Sequence, residues 1–454
     1  MNLPNYFLAD LPAEAALTPA MLVDACQTLK RNRQQYLAGR STSSQVALLC
    51  HVAQEWLNPE FPLRRIALEQ GPATLGFSRP TLERGLEMFF KRWTPADFEA
   101  LLEQDLGDPK RLDQFTSSAP EQRSNRVSLA AAPELLTHIT AGNLPCPALL
   151  NIGLGVLLRS AQFVKCATGT ALLPRLFAHS LYAADPKLGA CLEVAEWKGG
   201  DVTLESPVFA ESDCVTATGS DEALDDIRRR LPLKARFVPY GHKVSFGFIA
   251  AECFSGGNLR NLVERATTDV TAWNQLGCLS PHVIYVQEGG LVGAEKFAEL
   301  LAEELARREQ IEPRGDLPVE TAATIASRRS LYEVRAAHSP ETRHWSSQGS
   351  TAWTVVYEAD PRFQLSCLNR FIYVKGVKDL TDALQSADPV RNKTSTVGFA
   401  APEHQLKDLA GELARWGVFR ICPLGQMQDP PLAWRHDGRP ALGDLIRWTD
   451  WEKL

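Results

Sequence analysis

The feature that most restricts the fold is a regular alternation of helix-like and strand-like segments in the middle of the chain. Apolar residues at helical spacing recur over 148–159, 172–184 and 221–231, and short apolar runs typical of strands fill 162–165, 191–197, 213–217 and 236–238. This alternation predicts right-handed βαβ units and a parallel sheet with helices on both faces. Ligands on such sheets bind at the carboxyl ends of the strands. We therefore expect an α/β fold with polar site residues at those ends.

The flanking segments extend this organisation. From Thr18 to Phe115, apolar residues at three- and four-residue spacing predict a helical lead-in, and the polar stretch from Thr116 to Arg126 predicts a linker or a surface excursion. A second α/β segment is expected from about Ser245 to Val418, with an amphipathic helix from Ala294 to Glu309. The tail alternates apolar and polar residues around Trp448 and could add a strand to a sheet.

Charge and cysteine spacing argue against several classes of protein. The chain has 454 residues, a net charge of -6 and 44% hydrophobic residues, so we expect a soluble protein of two or three domains without a nucleic-acid or membrane-surface partner. Its most apolar stretch, 145–158, is shorter than the about 20 residues of a membrane helix. The cysteines include no Cys-x-x-Cys pair, which argues against a zinc site and a disulfide framework. With no secretory signal evident, the expected location is the cytoplasm.

One cysteine differs from the others in its setting. Residues 271–287, TAWNQLGCLSPHVIYVQ, place Cys278 in a loop that leads into a short apolar strand. Gly277 leaves room for close backbone approach, and a thiolate is the most effective covalent catalyst among side chains for attack on a carbonyl or thioester. A buried cysteine is more often inert packing, so for Cys278 alone both interpretations stand.

Two loops at expected strand ends carry candidate ligand-binding residues. Asn143, in HITAGNLPCP, could donate a hydrogen bond to an oxyanion, although a turn or N-cap asparagine is the more common interpretation. Lys165 closes a strand in FVKCATGTAL, and Thr168, Gly169 and Thr170 follow it at the expected start of a helix. A lysine beside a helix N-terminus suits a phosphate or ribose, and an ordinary strand-end lysine fits equally well.

Two further loops follow the next expected strands. Gly219 and Ser220, in VTATGSDEAL, precede the helix expected over 221–231. Backbone N–H groups and the serine hydroxyl could meet a pyrophosphate there, and the same residues also make an ordinary helix start. Gly241 and His242, in PYGHKVSFG, follow a strand on the path into the second α/β segment.

In this order the phrases resemble the aldehyde dehydrogenase superfamily and, within it, the long-chain acyl-CoA reductases of the bacterial bioluminescence type, the LuxC family. The resemblance is carried by AGNLP, ATGSDEAL, YGHKVSFG, LGCLSPHVIYV and HDGRPALGDLIRWTDWE, within residues 138–452. It implies an aldehyde dehydrogenase-like fold, with a helical lead-in and parallel-sheet dinucleotide-binding domain at 1–243 and a second α/β catalytic domain at 244–424. The tail, about 425–454, would return to the first domain or join a sheet in an oligomer.

The same resemblance implies roles for individual residues. Cys278 would accept the acyl group, and Asn143 with the Cys278 N–H would form the oxyanion hole. Lys165 would reach the adenosine ribose. Gly219 and Ser220 would line the dinucleotide site.

Three departures from the wider superfamily shape the expected chemistry. Pro239 stands where aldehyde-oxidising members carry a glutamate base, so an acyl-enzyme should resist water. Thr168 stands where an acidic residue would hold the ribose hydroxyls, which favours NADPH over NADH. The segment 365–371 has no counterpart of the second glutamate of the superfamily.

These residues together predict an NADPH-dependent reductase that takes a fatty acyl group from coenzyme A or an acyl-carrier protein onto Cys278 and releases it as an aldehyde. Backbone N–H groups, the positive ring of the cofactor, or His242 or His282 would favour the thiolate. Expected partners are an acyl-protein synthetase, an acyltransferase and further copies of the chain in a homo-oligomer. Two alternatives remain, a cysteine-dependent acyltransferase or thioesterase without hydride transfer, and a non-catalytic scaffold.

Overall fold

The computed structural model describes residues 3–12, 14–142, 144–254 and 257–453. Its helices, in chain order, are α1 (Pro19–Tyr36), α2 (Thr42–Leu57), α3 (Pro62–Leu75), α4 (Arg79–Phe90), α5 (Pro95–Leu106), α6 (Ala119–Arg123), α7 (Cys146–Leu157), α8 (Leu172–Ala184), α9 (Pro186–Gly189), α10 (Val202–Glu211), α11 (Asp221–Arg230), α12 (Leu259–Thr271), α13 (Ala294–Ile311), α14 (Val319–His338), α15 (Leu380–Ser386) and α16 (Glu403–Trp416). Its strands are β1 (Arg126–Ala131), β2 (Leu135–Ile139), β3 (Ala161–Cys166), β4 (Leu192–Glu196), β5 (Cys214–Thr218), β6 (Arg236–Tyr240), β7 (Val244–Ile249), β8 (Pro281–Gln287), β9 (Thr342–Ser346), β10 (Thr354–Glu358), β11 (Phe371–Val377), β12 (Thr394–Ala400), β13 (Arg420–Pro423) and β14 (Arg447–Glu452).

The chain divides into two compact units. The first comprises Met1–Leu75, Leu86–His242 and Pro431–Leu454, and the second comprises Gly76–Gly85 and Lys243–Pro430. The expected first domain, 1–243, also includes the segment 76–85, which the structure groups with the second unit. Phe77 in this segment packs edge-on against Trp273 with ring centroids 5.4 Å apart. Local periodicity cannot predict that a short segment belongs to the other compact unit, because that grouping depends on contacts between residues far apart in the sequence.

A five-stranded parallel sheet in the order β4-β3-β2-β5-β6 forms the centre of the first unit. One face packs against α1 and α10 through a cluster that contains Phe163 and Val208. The neighbouring residue Gln162 points to the opposite face, since side chains alternate along a strand, and its amide donates to the Ile152 carbonyl of α7 at 3.1 Å. The expected α/β fold is confirmed, and the strand order reverses between β2 and β5, where such sheets open a ligand crevice.

The helical lead-in is also present. Thr18, Ser41 and Thr94 cap the N-termini of α1, α2 and α5 with their side-chain oxygens. Trp93 meets Phe177 of α8 edge-on with ring centroids 5.7 Å apart, so aromatic packing attaches these helices to the sheet domain.

The polar stretch 116–126, expected as a linker, instead contains α6 and a buried ion pair. Glu121 accepts hydrogen bonds from Arg111 and, at 2.9 Å, from the Ser128 hydroxyl. The guanidinium of Arg111 and the Ser118 and Ser128 groups hold the pKa of Glu121 far below its ordinary value. The linker alternative is wrong because sequence polarity does not distinguish solvated charges from buried, paired ones, whereas residues 119, 120 and 122–125 are exposed, as expected for a surface excursion.

The tail forms the expected strand. β14 pairs antiparallel with β1 in a two-stranded ribbon, with Ala130 opposite Trp448. Every residue of β14 is exposed, including Trp448 and Trp451.

A seven-stranded sheet in the order β13-β12-β7-β8-β11-β10-β9 forms the centre of the second unit. Its strands run parallel except β9, which is antiparallel to β10. Tyr285 and Phe246 lie in the core on one face, and Ile284 and Phe297 lie in the core on the other. In the described ranges, no helix combines the length and apolar character that crossing a membrane requires.

Candidate active site

Cys278 lies in a tight turn at the amino end of β8, in the second unit. This turn, Gly277–Ser280, is closed by a 2.9 Å hydrogen bond from the Ser280 N–H to the Gly277 carbonyl, and we call it the cysteine turn. Cys278 and Leu279 occupy its two middle positions. Leu279 is buried whereas the Cys278 side chain is partly exposed, so the turn anchors one residue and presents the other.

Neighbouring side chains fix the backbone of this turn. The Ser245 hydroxyl of β7 donates to the Cys278 carbonyl at 2.7 Å and accepts the Thr396 N–H of β12 at 3.0 Å. On the far side, the Gln275 amide donates to the Pro281 carbonyl at 2.7 Å. Strands of the sheet therefore hold the backbone that carries the thiol, which is the rigid support that a reactive group requires.

Gln428 packs against the cysteine turn from a loop that follows β13. Its amide Nε2 donates to the Ser280 hydroxyl at 2.5 Å. A Cβ atom on Gly277 would lie 2.6 Å from the same nitrogen, closer than real contacts allow. A side chain at position 277 would therefore displace the amide of Gln428 from the cysteine turn.

Two runs of three residues beside the turn adopt the left-handed backbone conformation. Trp273–Gln275 have φ between 50° and 64°, and Leu368–Arg370 have φ between 54° and 66°. Each such non-glycine residue costs roughly 1–2 kcal/mol, so both runs must be held by their surroundings. The Gln275 amide contributes by donating to the Phe371 carbonyl at 2.9 Å.

His282 is buried and follows the cysteine turn directly in β8. Its Nδ1 accepts the Ser366 N–H at 3.1 Å, so the neutral ring carries its proton on Nε2. The segment 365–371, which lacks the acid of the superfamily, thus supplies a backbone N–H at this point. His242, in contrast, is exposed and is the last residue of the segment Leu86–His242 of the first unit.

Burial raises the pKa of the nine other cysteines, so each is a poor source of thiolate. For several fully buried thiols the pKa rises to about 12; these are Cys26, Cys166, Cys191, Cys214 and Cys422.

The remaining expected site residues belong to the first unit, where Lys165 is the penultimate residue of β3. Lys165 is 2% exposed, and its Nζ lies 5.8 Å from the ring centroid of Trp197. Burial lowers its pKa, while the charges of Glu205 and Glu196 act in the opposite direction. In the part of the chain that the structure describes, its ammonium group has no hydrogen-bond acceptor.

Thr168 lies exposed on the turn that connects β3 to α8. The helix expected over 172–184 begins at Leu172, and Thr168–Thr170 precede it in a turn where Gly169 adopts a left-handed φ of 79°. Glu196, at the end of β4, accepts the Gly169 N–H at 2.8 Å and the Ala171 N–H at 3.0 Å. A carboxylate thus already engages N–H groups that were expected to meet a phosphate.

Ser220 is the N-cap of α11, and its hydroxyl accepts the Ala223 N–H at 3.3 Å. The Gly219 N–H donates to the Tyr240 carbonyl of β6 at 3.2 Å. Both residues lie at the carboxyl edge of the sheet, as expected, and the first turn of α11 carries Asp221 and Glu222. Gly219 and Ser220 therefore form an ordinary helix start. The backbone N–H groups at this edge of the sheet remain the candidate contacts for a phosphate.

The terminal phrase HDGRP packs on the end of β6. The His436 ring stacks on Tyr240 with centroids 4.5 Å apart, and the Arg439 guanidinium lies 4.7 Å from the centre of the Tyr240 ring. Arg439 also donates to the Pro239 carbonyl at 2.6 Å. Pro239, which stands where the superfamily has a glutamate, is thus held in place through its backbone carbonyl.

Asn143 lies outside the described residues. Sequence reasoning missed the contributions of Ser245, Glu196 and Gln428. Ser245 stands inside the quoted phrase YGHKVSFG, which was a usable signal. Glu196 and Gln428 belong to no recognisable motif, because their proximity to the turns they contact arises only from the fold.

The comparison with known families decides the class of protein. The sequence profile of the family described as Acyl-CoA reductase (LuxC) matches residues 37–448. The chain belongs to this family. LuxC-family relatives include the long-chain acyl-protein thioester reductase of Aliivibrio fischeri, 24% identical over 90% of this chain and 82% of that protein. The enzyme of the same name from Vibrio harveyi is 22% identical over 92% of this chain and 84% of that protein.

Solved structures show the fold of this LuxC-family chain. A salicylaldehyde dehydrogenase of Pseudomonas putida G7 has a TM-score of 0.69 at 13% identity over 97% of this chain and 91% of that chain. A glyceraldehyde-3-phosphate dehydrogenase of Methanocaldococcus jannaschii, solved with NADP, has a TM-score of 0.66 at 13% identity over 97% and 96%. Bifunctional proline utilization A has a TM-score of 0.71 at 15% identity over 96% of this chain, which spans 45% of that longer protein. The expected LuxC resemblance, aldehyde dehydrogenase-like fold and acyl thioester reductase class are confirmed, and the reductase class in this fold indicates a nicotinamide cofactor.

Proposed function

We propose that this chain reduces a fatty acyl thioester to the aldehyde with NADPH, through an acyl group held on Cys278. The observation that supports this most is the cysteine turn, which presents one thiol on a backbone fixed by Ser245 and Gln275 in a chain of the LuxC family. The other cysteines are disfavoured as thiolates by burial.

The chemistry assigned to Cys278 runs in two stages. The thiolate attacks the thioester carbonyl, a new carbon–sulfur bond forms, and the thiol of the donor leaves. When bound, a nicotinamide dinucleotide supplies the hydride that converts the acyl carbon into a thiohemiacetal. Collapse of the thiohemiacetal breaks the carbon–sulfur bond, releases the aldehyde and restores the Cys278 thiolate. We assign the oxyanion contacts to the Cys278 N–H and the Asn143 amide.

The first unit offers groups that fit a dinucleotide. The buried ammonium of Lys165, for which the described residues supply no acceptor, suits the hydroxyls or phosphate of an adenosine ribose. The edge formed by Gly219 and Ser220 lies beside the reversal of strand order, where doubly wound sheets bind nucleotides. We accordingly propose 1–243 with the returning tail as the cofactor-binding part and 244–424 as the catalytic part.

NADPH is proposed over NADH because Thr168 places no carboxylate beside the expected ribose position. Glu196 reaches the same turn, but both of its oxygens accept backbone N–H groups, so its charge is largely engaged. Lys165 adds a positive charge at the same edge. With a positive charge on Lys165 and no unengaged carboxylate at this turn, a 2′-phosphate is better accommodated than a pair of ribose hydroxyls, which need an acceptor.

The acyl-enzyme is proposed to resist hydrolysis. Pro239 provides no carboxylate to activate water, and its carbonyl is occupied by Arg439. His242 and His282 are the imidazoles proposed to favour the thiolate. His282 is the better supported of the two, because it lies in the same unit as Cys278 and its tautomer is fixed by Ser366.

The proposed acyl donor is an acyl-coenzyme A or an acyl-protein, since the LuxC-family relatives are named acyl-protein thioester reductases. An acyl-protein synthetase and an acyltransferase are proposed partners. The exposed strand β14, which carries Trp448 and Trp451, supports assembly into a homo-oligomer. Buried thiols such as Cys166 and Cys214 suit a reducing compartment, for which we propose the cytoplasm.

Intact-protein mass spectrometry tests this proposal. Purified protein is incubated without NADPH with acyl thioesters of increasing chain length, on coenzyme A and on a carrier protein, and then with NADPH. The expected result is one added acyl mass, mapped to Cys278, that disappears on NADPH addition as aldehyde forms. An added mass that ignores NADPH would favour the acyltransferase or thioesterase, and no added mass with any donor would favour the scaffold.

A further inference from the structure

The loop that carries Gln428 is anchored by a buried carboxyl group. Residues 424–428, which we call the Gln428 loop, follow β13. Asp269 of α12 is 1% exposed and accepts the Gly425 N–H at 2.5 Å and the Met427 N–H at 2.9 Å. Two hydrogen bonds from backbone N–H groups fix the loop against the helix that precedes the cysteine turn.

Two arginines hold the carbonyl groups of the same loop. Arg265 donates to the Leu424 carbonyl at 2.6 Å. Arg420 donates to the Met427 carbonyl at 2.7 Å and to the Gln426 carbonyl at 2.9 Å. Asp269 and Arg420 are buried and Arg265 is half-buried, so three ionisable side chains order one short loop.

The residue that this loop delivers to the cysteine turn is Gln428. Its amide donates to the Ser280 hydroxyl and packs on the Gly277 backbone, with the side-chain oxygen 3.0 Å from the position of a Cβ on Gly277. Ser280 is fully buried, so loss of Gln428 would leave its hydroxyl without this donor. The amide thus holds both ends of the turn whose middle residue is Cys278.

We propose that Gln428 is a positioning residue for Cys278, which rests on the proposed role of Cys278 as acyl acceptor. By fixing Gly277 and Ser280, the amide sets the direction of the thiol and of the Cys278 N–H relative to the incoming carbonyl. Displacement of a reacting group by about 1 Å lowers a rate by roughly 100-fold. The neutrality of the amide also matters, because a carboxylate at this position would oppose thiolate formation.

The test measures the single-turnover rate of acyl transfer from an acyl-coenzyme A to the enzyme in the absence of NADPH. We expect Gln428→Leu to lower this rate by about 10- to 100-fold while NADPH affinity, measured by fluorescence titration, stays unchanged. Gln426→Leu is the matched control, since Gln426 is an exposed glutamine in the same loop, and it should keep the native rate. A native rate in Gln428→Leu, or an equal loss in Gln426→Leu, would overturn the proposal.

A double-mutant cycle separates positioning from a general loss of structure. Ser280→Ala removes the partner of Gln428 with little change in volume, so Gln428→Leu with Ser280→Ala should be no slower than Gln428→Leu alone. Additive losses would mean that the two residues act independently and would refute the assignment. Ser280→Ala also serves as the smaller variant if Gln428→Leu fails to fold.

Charge provides a readout that a purely structural role would not change. In Gln428→Glu the carboxylate can accept the Ser280 hydroxyl, so the turn persists, and the added charge should move the pH midpoint of iodoacetamide alkylation of Cys278 upward by roughly one unit. An unchanged midpoint would contradict the proposal. Cys278→Ser distinguishes the two levels of inference, because acyl labelling that survives in it would refute the proposed function itself, whatever Gln428 does.

Discussion

Arg370 Nε donates a 3.2 Å hydrogen bond to Asn274 Oδ1 and so joins the two left-handed runs that flank the cysteine turn. Arg370 is fully buried, forms an ion pair with Glu309 at 2.8 Å and donates to the Glu312 carbonyl at 2.7 Å. Burial lowers its pKa to about 10, which leaves the guanidinium charged at neutral pH. One charged side chain thus holds two strained segments together beneath Cys278, where strain of this kind is most often found.

Replacement of this guanidinium by an ammonium should therefore destabilise the second unit. We expect Arg370→Lys to lower the free energy of unfolding by about 2 kcal/mol, because a lysine cannot satisfy Asn274, Glu309 and the Glu312 carbonyl at once. Urea denaturation followed by fluorescence measures the effect. Arg362→Lys, at an exposed pair with Asp360, should leave stability nearly unchanged and is the control. Equal losses of unfolding free energy in Arg370→Lys and Arg362→Lys would show that the buried hydrogen bonds of Arg370 stabilise the unit no more than an exposed ion pair does.

Cys278→Ser should abolish aldehyde formation, since acyl transfer and aldehyde release are both assigned to one sulfur. Cys253→Ser and Cys367→Ser should retain activity, because both thiols lie in the same unit but have a raised pKa. Gas chromatography of the aldehyde product compares the three variants. Loss of activity in Cys367→Ser alone would identify Cys367, in the segment before β11, as the nucleophile.

The acyl-enzyme formed without NADPH should persist in water and pass readily to added thiols. This follows from Pro239, which offers no base for water. Timed mass spectra in buffer, with and without β-mercaptoethanol, measure the two rates. Release of free fatty acid as fast as transfer to the thiol would support a thioesterase instead.

Stability should depend on pH through Glu193, whose pKa is raised to about 7 by burial. The folded chain then binds more protons than the unfolded chain between the ordinary pKa of 4.5 and about 7. This contribution to stability is complete below the ordinary pKa and is lost as the pH rises through 7. A single oxygen, Oε1, accepts both the Leu8 and Val194 N–H groups, so Glu193→Gln can keep these hydrogen bonds.

We accordingly expect Glu193→Gln to be more stable than the native chain at pH 8, by about 1 kcal/mol, and nearly equal to it at pH 4. Asp269, whose pKa burial also raises to about 7, should leave part of the native pH dependence in place. Thermal unfolding at both pH values provides the measurement. A variant less stable than the native chain at pH 8 would mean that the Glu193 charge is favourable where it lies.

The sequence predicted the parts of this fold that depend on local pattern. Helix 172–184 and the strand ends within one residue of Lys165 and Gly219 follow from periodicity and from residues that end strands. The buried pair Arg111–Glu121 was misjudged because a short polar stretch has the same composition whether its charges are solvated or paired. Gln428 and Glu196 could not be found, since each contacts a turn from a distant part of the chain and local sequence contains no trace of that contact.

Cofactor choice tests the placement of the Thr168 turn. A carboxylate three residues after Lys165 would accept the ribose hydroxyls of NADH and repel a 2′-phosphate, so Thr168→Glu should shift the ratio of kcat/KM values toward NADH by about tenfold, equivalent to roughly 1.4 kcal/mol. Thr168→Gln has the same shape without the charge, so it should shift the ratio far less and is the matched control. Steady-state rates with both nucleotides decide the outcome. A native enzyme that already prefers NADH, or equal shifts in the two variants, would show that this turn does not face the ribose.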